Sequence, residues 1–192
     1  SSLKFFGIGM ILVVLGFFMF SSASLGLLAR DGVQFSSVAI SQLIGIGIGA
    51  VLLFICTRIP SAFWRTYAFF IFIASVIATL LVFVPGLGFE FNGARRWLSI
   101  GSFSIQPAEF LKIGTVLYFA ALLTSMKDKV QTFKGGMLPF VGLLVAVGAI
   151  LLMQPDTGTF LVIALTMGAM YMASGARVRD MELLVIIADA MF

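Results

Sequence analysis

The residues best suited to chemistry lie in the longest connection between two apolar stretches. Arg95, Arg96 and Trp97 are consecutive there, shortly after the turn dipeptide Asn92-Gly93. Two adjacent guanidinium groups can bind a phosphate or a pyrophosphate through bidentate hydrogen bonds. Alternatively, the arginines bind phospholipid phosphates while the indole anchors the connection at a membrane interface. Composition alone favours this anchoring interpretation.

A second polar group opens the apolar stretch that follows. Gln106 precedes Pro107, which suits the first helical turn, and Glu109 lies where the helix dipole favours an anion. Lys112, three residues further on, shares a helix face with Glu109 and can pair with it. A charge at the centre of a bilayer costs about 2.5–3.5 kcal/mol, so Lys112 needs a partner or a cavity. The sequence leaves a structural salt bridge and a polar cavity wall as alternatives.

A third polar group is the segment QPDTGT at residues 154–159, which joins two apolar stretches. Asp156 or Thr157 can cap the helix that follows, while Pro155 interrupts the helix that precedes it. The carboxylate of Asp156 is also a candidate to hold a cation or to orient a sugar hydroxyl. Capping is the favoured interpretation.

These polar groups belong to a strongly apolar chain. Hydrophobic residues make up 61% of its 192 residues and charged residues only 10%, whereas a soluble domain needs roughly a quarter. The basic residues behind the net charge of +4 are scattered between apolar stretches, which indicates membrane topology and no nucleic-acid binding. With one Cys and no His, the sequence excludes an internal disulfide, a zinc cluster and a histidine base.

The apolar stretches predict an all-α, polytopic membrane helical bundle with six transmembrane helices. Met181–Phe192 is too short to cross a bilayer, which takes about 20 residues, and predicts the start of a seventh. We therefore expect residues 1–192 to form a single transmembrane domain, truncated at its C-terminus, from a longer protein. The six predicted spans are about Phe5–Leu28, Phe35–Thr57, Tyr67–Val84, Ile105–Thr124, Gly136–Leu152 and Thr157–Ser174.

The basic residues also predict the orientation. With the N-terminus in the cytoplasm, eight of the 12 lysines and arginines lie inside and four lie at the outer face, as the positive-inside rule requires. The connection from Pro85 to Gln106 then lies at the outer face, and its Trp and aliphatic residues suit the membrane boundary.

The segment NGARRWLSIGSFSIQPAEFLKI resembles the SEDS family of cell-wall polymerases, which includes FtsW, RodA and the sporulation protein SpoVE. QPDTGT resembles a second family motif, and FSSAS and IPSAFWR are similar to further family segments, so the resemblance covers essentially the whole chain. Asn92 to Trp97 is more similar to FtsW than to RodA, in which Gln often replaces the first Arg. Ala108 and Thr157 stand where the family commonly has Ser and Leu, which are mild departures.

The resemblance implies a ten-helix peptidoglycan glycosyltransferase of the bacterial plasma membrane that polymerises lipid II during cell division and releases undecaprenyl pyrophosphate. It implies a monofunctional penicillin-binding transpeptidase and other division proteins as partners. It places the catalytic Asp beyond residue 192, so we expect this piece alone to be inactive. No cofactor is implied, and a divalent cation is left open. The predicted substrate-binding residues are Arg95, Arg96, Trp97, Gln106, Glu109, Lys112 and Asp156.

Two other classes of function are compatible with these residues. A lipid II flippase also needs polar groups in a helical bundle, but it requires charges deep in several spans, and here the span centres are almost uncharged. A non-catalytic division scaffold would bind the same transpeptidase as an enzyme, so only a polymerisation assay separates those two hypotheses.

Overall fold

The computed structural model describes residues 7–19, 35–91, 94–100 and 103–176. The chain divides into two compact units, Ser1–Ile59 and Pro60–Phe192. The predicted start of a seventh span at Met181–Phe192 and the FSSAS segment lie outside the described residues, and the single transmembrane domain stays a prediction. The described helices are α1 (Gly7–Met19), α2 (Phe35–Arg58), α3 (Ser61–Leu80), α4 (Pro107–Ser125), α5 (Leu138–Met153) and α6 (Thr157–Ala173).

The helices have the length and composition of membrane spans. Among the described residues, Ser61–Phe83, Pro107–Ser125 and Phe133–Met153 are long and apolar enough to cross a membrane, and three shorter helical stretches are apolar. Large apolar side chains such as Ile11, Phe18 and Phe54 are exposed, which suits contact with lipid. The predicted class, a helical membrane bundle, is confirmed.

In the second unit α3 packs against α4 and α5 packs against α6, each pair consecutive in the chain and antiparallel, and α6 also packs against α4, which runs in the same direction. At Gly114 a side chain would come within 2.5 Å of the Ser75 hydroxyl, so glycine allows α4 to approach α3 closely. The buried core is mainly aliphatic and also contains aromatic residues, among which the ring of Phe140 stacks on that of Tyr171 at 5.1 Å. This packing fixes which helix ends lie together.

The connection between α3 and α4 forms a small antiparallel sheet, which the sequence analysis did not include. Its strands are β1 (Gly88–Phe91), β2 (Ala94–Ile100) and β3 (Phe103–Ile105), in the order β1-β2-β3. Gly88 lies so close to the carbonyl of Val82 that a side chain there would clash. The sheet pairs backbone groups of the three strands with one another, so fewer of them need other partners. We call the end of the second unit that carries this sheet, residues 154–156 and the N-termini of α4 and α6 the site end.

The opposite end of the second unit is basic. The connection between α4 and α5 contains a 3₁₀ turn, Lys127–Lys129, and a π-helical turn, Phe133–Met137. Arg65, near the start of α3, is exposed at this end as well. The connection is fixed to the end of α6 by the Gln131 side chain, whose Nε2 donates to the Gly175 carbonyl at 3.2 Å. We call this end the basic end.

Candidate functional site

The site end is organised around the carboxylate of Asp156, whose side chain is only 3% exposed. Asp156 is the N-cap of α6, and its Oδ1 accepts a hydrogen bond from the Thr159 backbone N–H at 3.3 Å. This bond satisfies one of the amide groups that a helix N-terminus leaves without a partner. The capping role predicted for Asp156 is therefore present, and it accounts for only part of what the carboxylate binds.

The second partner of the carboxylate is Arg96 on β2. In the register of β1 against β2, Phe89 lies opposite Trp97 and Glu90 opposite Arg95, so Arg96 is the extra residue of a β-bulge. Bulges change the direction in which a side chain projects from a strand. Here Nη1 of Arg96 lies 3.5 Å from Oδ1 of Asp156, and about a third of the arginine side chain remains exposed.

The third partner is Gln106, the residue before α4, whose Nε2 donates to Oδ2 of Asp156 at 3.3 Å. The carboxylate thus joins three chain segments: the sheet, the start of α4 and the start of α6. Arg96 is 60 positions from Asp156 and Gln106 is 50 positions away. Both oxygens of Asp156 are engaged, so the group is poorly placed to accept a further proton as a general base.

Glu109 and Lys112 form a separate ion pair on the first turns of α4. Nζ of Lys112 lies 2.8 Å from Oε2 of Glu109, which confirms the pairing expected from their spacing. Lys112 is six residues beyond Gln106, about 9 Å along the helix axis. The Glu109 side chain is 55% exposed, so the carboxylate of this pair is far more exposed to solvent than the carboxylate of Asp156.

The remaining two predicted residues stay outside both clusters. Arg95 is exposed, and it has no ion pair with any residue that the structure describes. Trp97 is half-buried on β2. The exposed guanidinium of Arg95 and the exposed part of Arg96 therefore give the site end a cationic surface that can bind an anion through N–H donors.

The structure also reveals polar residues that the sequence analysis did not select. Gln154 is 1% exposed, and its Nε2 donates to the backbone carbonyl of Thr79 at 2.9 Å. Gln154 belongs to the QPDTGT motif, but its acceptor lies 75 positions away, so nothing local in the sequence identifies the bond. Within residues 7–19, 35–91, 94–100 and 103–176, no three acidic or Cys side chains lie together as metal ligands would.

Apolar antiparallel helices with a cationic, hydrogen-bonded cluster at one end define a polytopic membrane protein with a polar site at the mouth of its bundle. Residues 2–192 match the FtsW/RodA/SpoVE family of cell cycle proteins, and the chain belongs to that family. The resemblance seen in the two sequence motifs is thereby confirmed.

Individual relatives agree with this assignment. The chain is 32% identical over 179 residues to a probable peptidoglycan glycosyltransferase FtsW of Allochromatium vinosum, covering 93% of this chain and 45% of that protein. It is 33% identical over 137 residues to the stage V sporulation protein E of Bacillus subtilis, covering 71% and 37%. The chain thus spans less than half the length of these curated relatives.

Solved structures share the fold. The crystal structure of the rod shape determining protein RodA of Thermus thermophilus superimposes with a TM-score of 0.72 at 26% identity, over 95% of this chain and 58% of that one. A chain of a peptidoglycan synthase complex gives a TM-score of 0.73 at 24% identity, over 95% and 51%. The helical arrangement is therefore that of a family of membrane proteins.

Proposed function

We propose that the protein containing this chain is a peptidoglycan glycosyltransferase that polymerises lipid II into glycan strands during cell division. Family membership and the relatives named probable peptidoglycan glycosyltransferase FtsW support this function. The single structural observation that carries it is the cluster at Asp156, which holds the Arg96 guanidinium at the mouth of the bundle.

The reaction transfers a glycan chain from one lipid carrier to another. A sugar hydroxyl of one lipid II molecule attacks the anomeric carbon of the lipid-linked chain, a new C–O bond forms, and the bond to the diphosphate oxygen breaks. The diphosphate leaves with the electron pair, and the hydroxyl proton goes to a base. Arg95 and Arg96 stabilise the leaving diphosphate through N–H donors, and the ammonium group of Lys112, which is paired with Glu109, can donate a further N–H.

The base that accepts the hydroxyl proton is neither the carboxylate of Asp156 nor that of Glu109. Asp156 is buried and already accepts from Arg96, Gln106 and the Thr159 N–H, so its contribution is to hold Arg96 in place. Glu109 is neutralised by Lys112. The family resemblance places the catalytic Asp in an outer loop beyond residue 192, and we assign the proton transfer to that residue.

We propose the following membrane orientation and partner for the site. The N-terminus lies in the cytoplasm, the basic end faces the cytoplasm, and the site end faces the outer leaflet of the plasma membrane, where lipid II is polymerised. A monofunctional penicillin-binding transpeptidase is the proposed partner that cross-links the product. The distribution of basic residues supports the orientation.

The position of the charges favours a polymerase over a lipid II flippase. In the described part of α3 to α6, charged side chains occur only within the first two turns of α3 and α4, at Arg65, Glu109 and Lys112. A transport path requires ionisable groups through the depth of the membrane. A cluster confined to one end suits chemistry at that surface.

The test is lipid II polymerisation by the full-length protein in proteoliposomes. Replacing Arg95 and Arg96 together by Gln should lower the rate by about 100-fold or more, the scale of lost transition-state donors, at unchanged protein levels. Arg65→Gln, an exposed arginine at the basic end, is the matched control and should polymerise normally. Unchanged polymerisation by the double variant would refute the role of the arginines, and an inactive wild-type protein would refute the polymerase function itself.

A further inference from the structure

Gln154 is a buried amide at the site end that the proposed mechanism does not use. It follows the last residue of α5 and precedes Asp156 by two positions. Resting on the proposed polymerase function, we infer that Gln154 is a positioning residue. Its side chain fixes residues 154–156 against α3, and through them it sets where Asp156 holds Arg96.

The acceptor of the Gln154 amide explains how this works. Thr79 lies in the last turn of α3, where backbone carbonyls do not receive the regular hydrogen bond from the residue four positions further on. Nε2 of Gln154 donates to that carbonyl at 2.9 Å, and neither residue is exposed to any extent. The bond therefore joins the end of α3 to the end of α5 through a side chain rather than through helix packing alone.

The same two parts of the chain are joined a second time by the site itself. After Thr79 the chain continues through the 3₁₀ turn Leu81–Phe83 and β1 to Arg96, and after Gln154 it continues to Asp156. The Gln154–Thr79 bond is 2.9 Å long and buried, whereas the Arg96–Asp156 contact is 3.5 Å long and its arginine is partly exposed to solvent. Because a buried hydrogen bond is stronger in a low-dielectric environment, the Gln154 bond is the firmer of the two constraints.

The carbonyl oxygen of the Gln154 side chain indicates that stability alone does not explain why a glutamine occupies this position. Oε1 of Gln154 is buried and has no hydrogen-bond partner among the described residues. A buried polar atom without a partner opposes folding, so an apolar side chain of similar length would remove that cost and offset part of the loss of the bond to Thr79. The amide is useful for the specific bond that it makes, which places the carboxylate two residues further along.

The experiment compares Gln154→Met and Gln154→Glu in the full-length protein, reconstituted with lipid II. Both side chains match Gln in length, and neither an uncharged thioether nor a carboxylate can donate to the Thr79 carbonyl. We expect the KM for lipid II to rise about tenfold in Gln154→Met, with a Tm within a few degrees of wild type. Gln131→Met is the matched control, because it removes the same kind of amide-to-carbonyl bond at the basic end, and it should leave KM unchanged.

A second measurement separates positioning from a general structural effect. In an Arg96→Gln background, Gln154→Met should produce no further rise in KM, because the group that Gln154 positions is already gone. An equal rise in both backgrounds overturns the inference, as does an unchanged KM in the single variant. Loss of activity that follows loss of folded protein in both Gln154 variants also overturns it. If the wild-type protein does not polymerise lipid II, the proposed function fails instead.

Discussion

Replacing the carboxylate of Asp156 by an amide tests whether burial or bond length determines how much an ion pair contributes to the free energy of unfolding of this protein. The pair at Asp156 is long, at 3.5 Å, but the carboxylate is 3% exposed. The pair between Glu109 and Lys112 is short, at 2.8 Å, but Glu109 is 55% exposed. Asp156→Asn and Glu109→Gln remove one negative charge each and preserve side-chain shape, so they form a matched pair.

The expected magnitudes differ several-fold. Breaking a buried pair costs about 3–5 kcal/mol, and the one-third exposure of Arg96 reduces this to about 2–3 kcal/mol for Asp156→Asn. Asn still caps a helix as well as Asp does, so the loss reports the charge and not the cap. An exposed pair at this helical spacing is worth about 0.5 kcal/mol or less, which is the expected cost of Glu109→Gln.

The assay is thermal unfolding of the detergent-purified full-length protein. For a protein about twice the length of this chain, at about 1–2 °C per kcal/mol, Asp156→Asn should lower Tm by roughly 2–6 °C and Glu109→Gln by about 1 °C at most. Arg96→Met combined with Asp156→Asn should be no less stable than Asp156→Asn alone, because the unpaired arginine is then absent. Equal losses in Asp156→Asn and Glu109→Gln would contradict this expectation. So would a double variant whose loss equals the sum of the losses in Arg96→Met and Asp156→Asn alone.

Two further predictions follow from helix packing and from topology. Gly114→Ala should destabilise the protein by about 1–3 kcal/mol because the new Cβ meets the Ser75 hydroxyl at 2.5 Å, whereas Gly142→Ala, which meets nothing within 4 Å, should be neutral or stabilising in the same unfolding assay. In otherwise cysteine-free protein, the exposed Cys56 should react with a membrane-impermeant maleimide only after permeabilisation, while a Ser99→Cys variant should react in intact cells; the opposite pattern would reverse the proposed orientation.

The helices were largely predictable because apolar length is a local property of the sequence. The predicted Phe35–Thr57 became Phe35–Arg58, and the predicted Ile105–Thr124 became Pro107–Ser125. Helix α3 begins at Ser61, six residues before the predicted start at Tyr67, because Arg65 and its polar neighbours are tolerated in a first turn at the membrane boundary. The spacing of Glu109 and Lys112 likewise fixed their pairing, since helical geometry alone brings them together.

The sheet and the cluster at Asp156 were not predictable in the same way. Three short strands of four, seven and three residues carry too weak an alternation to separate them from an irregular connection. The β-bulge that frees Arg96 from strand pairing depends on the register of β1 against β2. Apart from the local cap bond to Thr159, the partners of Asp156 and Gln154 lie 50 to 75 positions away, so they are fixed by how the helices pack and not by any local pattern.

Under the proposed function, that long-range arrangement explains why a buried carboxylate beside Arg96 helps the arginine to bind a diphosphate and does not compete with the diphosphate for it. A free arginine loses about 2 kcal/mol of rotamer entropy when it is immobilised on a ligand. Arg96 is already held by Asp156, so this loss occurs on folding, and its remaining N–H donors are presented to a diphosphate in a fixed direction. Arg95 is exposed and retains its freedom. We therefore expect the adjacent arginines to act differently in the proposed site: Arg96 as a preorganised donor and Arg95 as an exposed cation that is ordered only by the ligand.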